Sequence, residues 1–72
     1  MNQNPLIEKL RLELPFCFTR NQVNDLTGGV INSKTLANLD SLKKGPARFR
    51  VGRLVTYERE TFLDWLEARM QV

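Results

Sequence analysis

The sequence predicts a small α+β domain in which short helices surround one β-hairpin. Two observations predict this class. Helix-start signals and apolar residues at helical spacing recur along the chain, and residues 48–57 alternate between apolar and polar side chains around a glycine, which is typical of a hairpin. The 72 residues leave room for one modest core, since chains of this size bury only about 60% of their unfolded surface.

A short N-terminal helix is predicted to begin at Asn4 and Pro5, because asparagine is a good N-cap and proline is accepted at the first helical position. The apolar residues within 6–14 fit helical spacing, although residues 10–14 also alternate with period two, as a strand does. We expect a helix of low stability that ends before Pro15 and packs either on the domain or on a second copy of it.

Phe16, Cys17 and Phe18 are apolar and prone to extended structure, so they predict a brief strand. Cys17 has neither a histidine nor a second cysteine in the chain as a partner. We therefore interpret it as a small core residue rather than a metal ligand or a nucleophile.

A helix over residues 20–27 is predicted next, with Thr19 as its N-cap. The glycines at 28–29 end it, because glycine accepts the left-handed conformation that a C-terminal cap requires. Val30 and Ile31 are then expected to turn inwards, ahead of the following helix.

Asn32 is predicted to cap a second helix, over residues 33–43, whose apolar stripe includes Leu42. Gly45 is expected to end this helix before Pro46. Two short helices joined by a tight glycine-containing turn form a helix-turn-helix pattern.

The outward face of this second helix is short, polar and mostly uncharged, which suits hydrogen bonding to base edges in a DNA groove. It suits an ordinary solvated helix equally well. The outward residues are Ser33, Lys34, Thr35, Asn38 and Ser41.

The hairpin can be closed by a loop of either two or three residues. A two-residue loop, 52–53, would pair Val55 with Arg50, whereas a three-residue loop, 52–54, would pair Val55 with Val51. We predict the three-residue loop, because it gathers the apolar side chains on one inward face.

In this register the hairpin has a basic outer face formed by Arg48, Arg50 and Thr56, and Arg53 lies at its tip. Such a strip is a wing able to lie along phosphates. An ordinary solvated hairpin is the alternative.

The last predicted helix covers residues 59–69, where Glu58 and Glu60 suit the positive end of the helix dipole. Its apolar residues give a wide stripe, and Trp65 is expected to be the largest single contributor to the core.

Positive charge is concentrated in the central third of the chain. The net charge is only +3, but residues 34–59 contain seven lysines and arginines against two acidic residues. Residues 1–33 balance, and residues 60–72 are acidic. A one-sided cluster in so short a chain favours a polyanionic partner.

Several function classes are excluded by composition. The chain has one cysteine and no histidine, which removes internal disulfides, most transition-metal sites and histidine-dependent catalysis. It has no paired carboxylates, and the glycines at 28–29 lack the spacing and the lysine of a P-loop. We expect no enzyme, cofactor, metal or small-molecule substrate. Without a long apolar span or a signal peptide, a protein of the cytoplasm that does not bind membranes is expected.

Six short motifs follow one another within residues 16–69. They are Thr-Arg-Asn-Gln-Val at 19–23, Leu-Thr-Gly-Gly at 26–29, Ser-Lys-Thr-Leu at 33–36, Gly-Pro at 45–46, Val-Gly-Arg-Leu-Val-Thr-Tyr at 51–57 and Phe-Leu-Asp-Trp-Leu at 62–66. In this order they resemble the excisionase and AlpA-like regulators, which are small phage- and prophage-associated members of the MerR-like winged helix-turn-helix class. The most specific part is the Gly-Pro, Val-Gly-Arg and Tyr series ahead of an aromatic final helix. This chain differs in having Leu54 where the family's hairpin loop commonly has a third basic residue, and in a longer turn between the two helices.

The resemblance implies a winged helix-turn-helix DNA-binding domain over residues 16–72, preceded by an arm or short helix over residues 1–15. It implies sequence-specific binding of double-stranded DNA, as a transcriptional regulator or an excisionase-like architectural factor, in a bacterial cytoplasm and on the nucleoid when bound. The matching DNA-facing positions are Ser33, Lys34, Thr35, Asn38, Arg48, Arg50 and Arg53.

From the residues themselves, Asn38 is predicted to bond an adenine edge and Lys34 a guanine edge, while the wing and Arg20 hold phosphates. Lys43 and Lys44 complete the predicted DNA-binding set. A homodimer or cooperative tandem binding is open for so small a module. The alternative function is a protein–protein adaptor on a winged-helix scaffold that uses the apolar N-terminal arm or the wing.

Overall fold

The computed structural model describes residues 4–70, which form four α-helices and one three-stranded antiparallel sheet, so the predicted α+β class is confirmed. Residues 1–3 and 71–72, the outer ends of the two predicted segments 1–15 and 16–72, lie outside the described residues. In chain order the elements are α1 (Pro5–Glu13), β1 (Cys17–Thr19), a 3-10 turn (Arg20–Gln22) that leads into α2 (Val23–Leu26), α3 (Ser33–Ser41), β2 (Phe49–Val51), β3 (Leu54–Glu58) and α4 (Arg59–Arg69).

Side-chain caps fix the starts of three helices, and two of these caps, Asn4 and Asn32, were predicted. Asn4 precedes α1, Asn32 precedes α3 and Glu58 precedes α4, and each accepts hydrogen bonds from backbone N–H groups of the first turn. Asn32 Oδ1 accepts from the Thr35 N–H at 2.8 Å, and Glu58 Oε1 accepts from the Thr61 N–H at 3.0 Å. Hydrogen bonds from the Thr61 hydroxyl and from the Glu60 and Thr61 N–H groups lower the pKa of Glu58 from its ordinary value. Each cap bonds to residues close to it in sequence, so these helix starts can be predicted from the sequence.

The predicted end of α3 at Gly45 is wrong. The helix ends at Ser41, and Lys43 takes the left-handed conformation with φ 61°. The Lys43 N–H donates to the Asp40 carbonyl at 3.0 Å, and the Lys44 N–H donates to the Leu39 carbonyl at 2.8 Å, which is a Schellman cap. A lysine at this position is favoured by the negative end of the dipole although it lacks the freedom of glycine.

The three strands are ordered β1-β3-β2, and the hairpin is closed by a two-residue loop. Arg50 pairs with Val55, so the predicted three-residue loop is wrong. Gly52 has φ 61° at the first loop position, which suits a type II′ turn. On the inward face Tyr57 pairs with Phe18 of β1, and this non-local pairing is what the sequence pattern did not show.

An aromatic cluster forms the centre of the core. Phe18, Tyr57 and Phe62 are among the largest fully buried side chains, and the Phe18 and Phe62 rings meet edge to face with centroids 5.1 Å apart. Helix α1 packs against α4 and adds Ile7 and Leu10 to the same core, and Leu14, just after the helix, joins them. The N-terminal helix therefore packs on its own domain.

Trp65 is only partly buried, so its predicted place as the largest core contributor is wrong. Its ring packs against the edge of the core, 5.8 Å from the Phe62 ring, and its Nε1–H donates to the Lys44 carbonyl at 2.9 Å. Trp65 thus ties α4 to the segment that follows α3.

Outside the hairpin, three residues predicted to lie inside are exposed, namely Cys17, Val30 and Leu42. In β1, Phe18 points inwards, so Cys17 must point outwards because successive strand residues alternate. Val30 is 50% exposed and Leu42 63% exposed, while Ile31 is buried as predicted. Phe16 is 69% exposed. Among residues 4–70, no helix combines the length and the apolar character needed to cross a membrane.

Candidate nucleic-acid interface

Helix α3 presents a polar face to solvent because its opposite face is anchored. Leu36 is fully buried and Asp40 is 3% exposed, and the two lie one turn apart on the inward side. The predicted base-contacting residues Lys34, Thr35 and Asn38 are all exposed on the other side, and Ser33 in the first turn is half-buried.

A buried polar network fastens the end of α3 to the sheet and to the 3-10 turn. Asp40 Oδ2 accepts hydrogen bonds from the Tyr57 hydroxyl at 2.7 Å and from Arg20 Nη2 at 2.5 Å. Arg20 Nε also donates to the Tyr57 hydroxyl oxygen at 3.2 Å. The three residues lie far apart in sequence, and no local pattern predicts that they meet.

Arg20, a predicted phosphate contact, is therefore already paired with a carboxylate. Its side chain is 24% exposed, against 44% for Arg48. Asp40 was absent from the predicted site. Its position on the buried side of an amphipathic helix was a signal for a buried partner, because carboxylates are rarely buried unless they are paired.

Burial, followed by the hydrogen bond to Asp40, raises the pKa of the Tyr57 hydroxyl from 10.0 to about 12, while Arg20 opposes the shift. The hydroxyl is therefore protonated at neutral pH and acts as the donor to Asp40. Through this hydrogen bond Tyr57 connects β3 to α3.

We expect stability to fall as the pH rises from about 10 to about 12. Because folding raises the pKa of Tyr57, the hydroxyl contributes fully below the unfolded value of 10.0 and loses its contribution as the folded value is passed. The chain has one tyrosine, so the ultraviolet absorbance of tyrosinate reports this titration directly. A Tyr57→Phe variant should lack that part of the alkaline loss, and a titration midpoint near 10 in the folded protein would contradict the network.

Gly45 allows the chain to pass against the Asp40 carboxylate. A Cβ built at Gly45 would lie 2.1 Å from Asp40 Oδ1, closer than real contacts allow. We expect Gly45→Ala to lower the free energy of unfolding by about 1–3 kcal/mol through overpacking, measured by chemical denaturation. The control is Ala47→Gly, because Ala47 is exposed and close in sequence, so its substitution should have a small effect. Gly28→Ala is not a matched control, because Gly28 has a φ of 64° and an alanine there would add backbone strain.

The hairpin arginines lie on the side of the sheet that meets α3. Arg48 Nη1 is 3.7 Å from Asp40 Oδ1, which places Arg48 beside the C-terminal half of α3. Arg50 is exposed and shares a sheet face with Val55, whereas Thr56 pairs with Phe49 and lies on the other face. The predicted outer strip of Arg48, Arg50 and Thr56 is thus wrong, because the loop is one residue shorter than predicted.

The tip of the hairpin approaches the 3-10 turn. A shallow surface pocket of about 120 Å3 lies between them, lined by Arg20, Asn21 and Arg53 together with Thr19, Leu54 and Val55. The remaining predicted cations, Lys43 and Lys44, are exposed just after α3. Arg20, Arg48, Lys43 and Lys44 therefore border α3, and Arg53 lines one pocket with Arg20.

An apolar patch occupies the opposite face of the hairpin, which the sequence interpretation missed. Phe49, Val51 and Leu54 are 55%, 62% and 50% exposed, respectively. The two-residue loop alone would have revealed it, because that register puts these side chains on one face with Thr56.

Among residues 4–70, no group of three or more histidine, cysteine or acidic side chains is placed to hold a metal ion. Comparison of the chain with family models, with curated proteins and with solved structures found no match.

Proposed function

We propose that this chain is a sequence-specific, double-stranded DNA-binding module of the winged helix-turn-helix type. One observation carries the proposal. Between Lys34 and Tyr57 the sequence has six lysines and arginines and a single acid, Asp40, and that acid is buried. The surface that this stretch presents to solvent therefore combines an exposed polar helix face with positive charge alone.

In this proposal α3 enters the major groove. Asn38 can form a bidentate pair with an adenine edge and Lys34 can donate to a guanine edge, and both are exposed near the middle and the start of α3. Anchoring through Leu36 and Asp40 orients the helix without occupying these side chains.

The 3-10 turn and α2 supply the first helical segment of the helix-turn-helix unit. Gly28 and Gly29, with φ of 64° and 85°, form the left-handed turn that leads into α3. The β2–β3 hairpin then acts as the wing, where exposed Arg48, Arg50 and Arg53 contact phosphates and fix the position of α3.

A role as a phage- or prophage-type regulator, or as an excisionase-like architectural factor, is part of the same proposal. It is supported by the motif order that resembles the excisionase and AlpA-like regulators and by the sequence of helix, turn, helix, hairpin and final helix. Both roles use the same DNA-binding surface.

Salt dependence of binding to a short random-sequence duplex tests the proposal. If four phosphates are neutralised, the slope of log affinity against log salt should be about −3.6, and affinity should fall roughly a hundredfold between about 50 and 200 mM salt. Binding that does not respond to salt, or no binding at low salt, would contradict it.

A second function, protein–protein adaptor, is favoured by the apolar patch of Phe49, Val51 and Leu54 and by two further exposed side chains, Leu12 at 85% and Phe16 at 69%. An adaptor should lose its partner, or its own dimer, when Val51→Ser breaks the patch, and should be unaffected when the wing arginines become glutamine. DNA binding should show the reverse pattern. A pull-down beside a gel shift at the same salt concentration separates the two.

A further inference from the structure

Asp40 is a buried carboxylate beneath the proposed DNA-binding surface. It is 3% exposed, yet it lies on the helix whose outer face carries Lys34, Thr35 and Asn38. Burial of a carboxylate is costly unless it is paired and hydrogen-bonded, and the pairing comes from outside α3.

Two arginines approach Asp40 from different elements. Arg20 of the 3-10 turn bonds Oδ2, and Arg48, which precedes β2, lies 3.7 Å from Oδ1. That second distance is too long for a hydrogen bond, and Oδ1 has no hydrogen-bond partner among residues 4–70. Gly45 packs directly against Oδ1, where any Cβ would overlap it. Asp40 therefore holds Arg20 closely and attracts Arg48 without immobilising it.

The same arginines are suited to phosphate contact. A free cation beside α3 would add one phosphate contact on any DNA sequence, and each such contact steepens the salt slope by about 0.9. A cation paired with Asp40 adds little, because a phosphate must compete with the carboxylate for it.

We propose that Asp40 is a specificity-determining residue, which withholds Arg20 from phosphates and so weakens sequence-independent binding, while the more exposed Arg48 stays free for a phosphate contact. The same carboxylate fixes α3 to Tyr57, which preserves the pose in which Asn38 reads base edges. This inference rests on the proposed DNA-binding function.

The test measures salt slopes for Asp40→Asn on a short random-sequence duplex and on the tightest duplex recovered from the same pool. Asparagine keeps an acceptor for the Tyr57 hydroxyl and removes the charge. We expect a slope steeper by about 0.9, roughly tenfold tighter binding to the random duplex at about 50 mM salt, and a lower preference for the selected duplex.

The double variant Asp40→Asn/Arg20→Gln removes both charges, leaves no unpaired ion at this position and should return the slope to the wild-type value. If Asp40→Asn does not fold, the salt slope of this double variant is compared directly with that of the wild type. Tyr57→Phe is the matched control for loosening of the network, and its slope should equal that of the wild type.

Three results would overturn the inference. An unchanged slope in folded Asp40→Asn, with both duplexes weakened in proportion, would show a purely structural Asp40. A double variant whose slope is about 0.9 shallower than the wild type would show that Arg20 already contacts a phosphate. If the wild type binds neither duplex at any salt concentration, the proposed function itself fails and the inference with it.

Discussion

Replacing two wing arginines, as Arg50→Gln/Arg53→Gln, is expected to weaken binding to every duplex by roughly a hundredfold at about 50 mM salt. Both side chains are exposed on the hairpin, so their loss should leave the fold unchanged. Two lost phosphate contacts should also make the salt slope shallower by about 1.8, with little change in the order of preferred sequences.

A matched control comes from a different element, helix α1. Lys9 is exposed on α1, which packs against α4, and Lys9→Gln removes the same type of charge. If Lys9→Gln weakens binding as much as one wing substitution, binding depends on net charge alone and the wing has no particular role.

Asn38→Ala is expected to act in the opposite manner. It should reduce discrimination at one base pair by about 1–3 kcal/mol, which is roughly fivefold to 150-fold, while the salt slope stays constant. The reason is that Asn38 carries no charge and lies on the exposed face of α3. Binding of matched and mismatched duplexes at fixed salt measures this effect.

Asn24→Ala provides the control, because Asn24 is an exposed asparagine on α2 rather than on α3. Its substitution should leave discrimination at that base pair unaltered. Equal losses in the two variants would mean that α3 is not the helix that reads bases.

Local signals predicted much of the fold. Asn32 and Glu58 begin helices with bonds to their own first turns, and the left-handed glycines at 28–29 end α2, so residues close in sequence determine these features. The bounds of α4 at 59–69 were predicted for the same reason.

Non-local contacts account for most errors. The hairpin register depended on Phe18 of β1, which supplies the partner of Tyr57 from a distant part of the chain. The exposure of Cys17 follows from that same pairing. Lys43, not Gly45, is the left-handed residue after α3, and Gly45 instead allows the chain to pass close to Asp40.

The candidate site was predicted as a set of residues but not as an arrangement. Exposure of Lys34 and Asn38 followed from helical periodicity, which is local. The pairing of Arg20 with Asp40, and the proximity of Arg48, required three elements to pack together, and periodicity carries no information on which cation a buried carboxylate will select.

The most direct test of sequence-specific DNA binding is selection from a pool of random duplexes with the wild-type protein, followed by sequencing. We predict enrichment of a short motif, and loss of preference at one of its positions when the selection is repeated with Asn38→Ala. An output pool with the base composition of the input, at salt concentrations where the protein retains DNA, would contradict sequence-specific reading by α3.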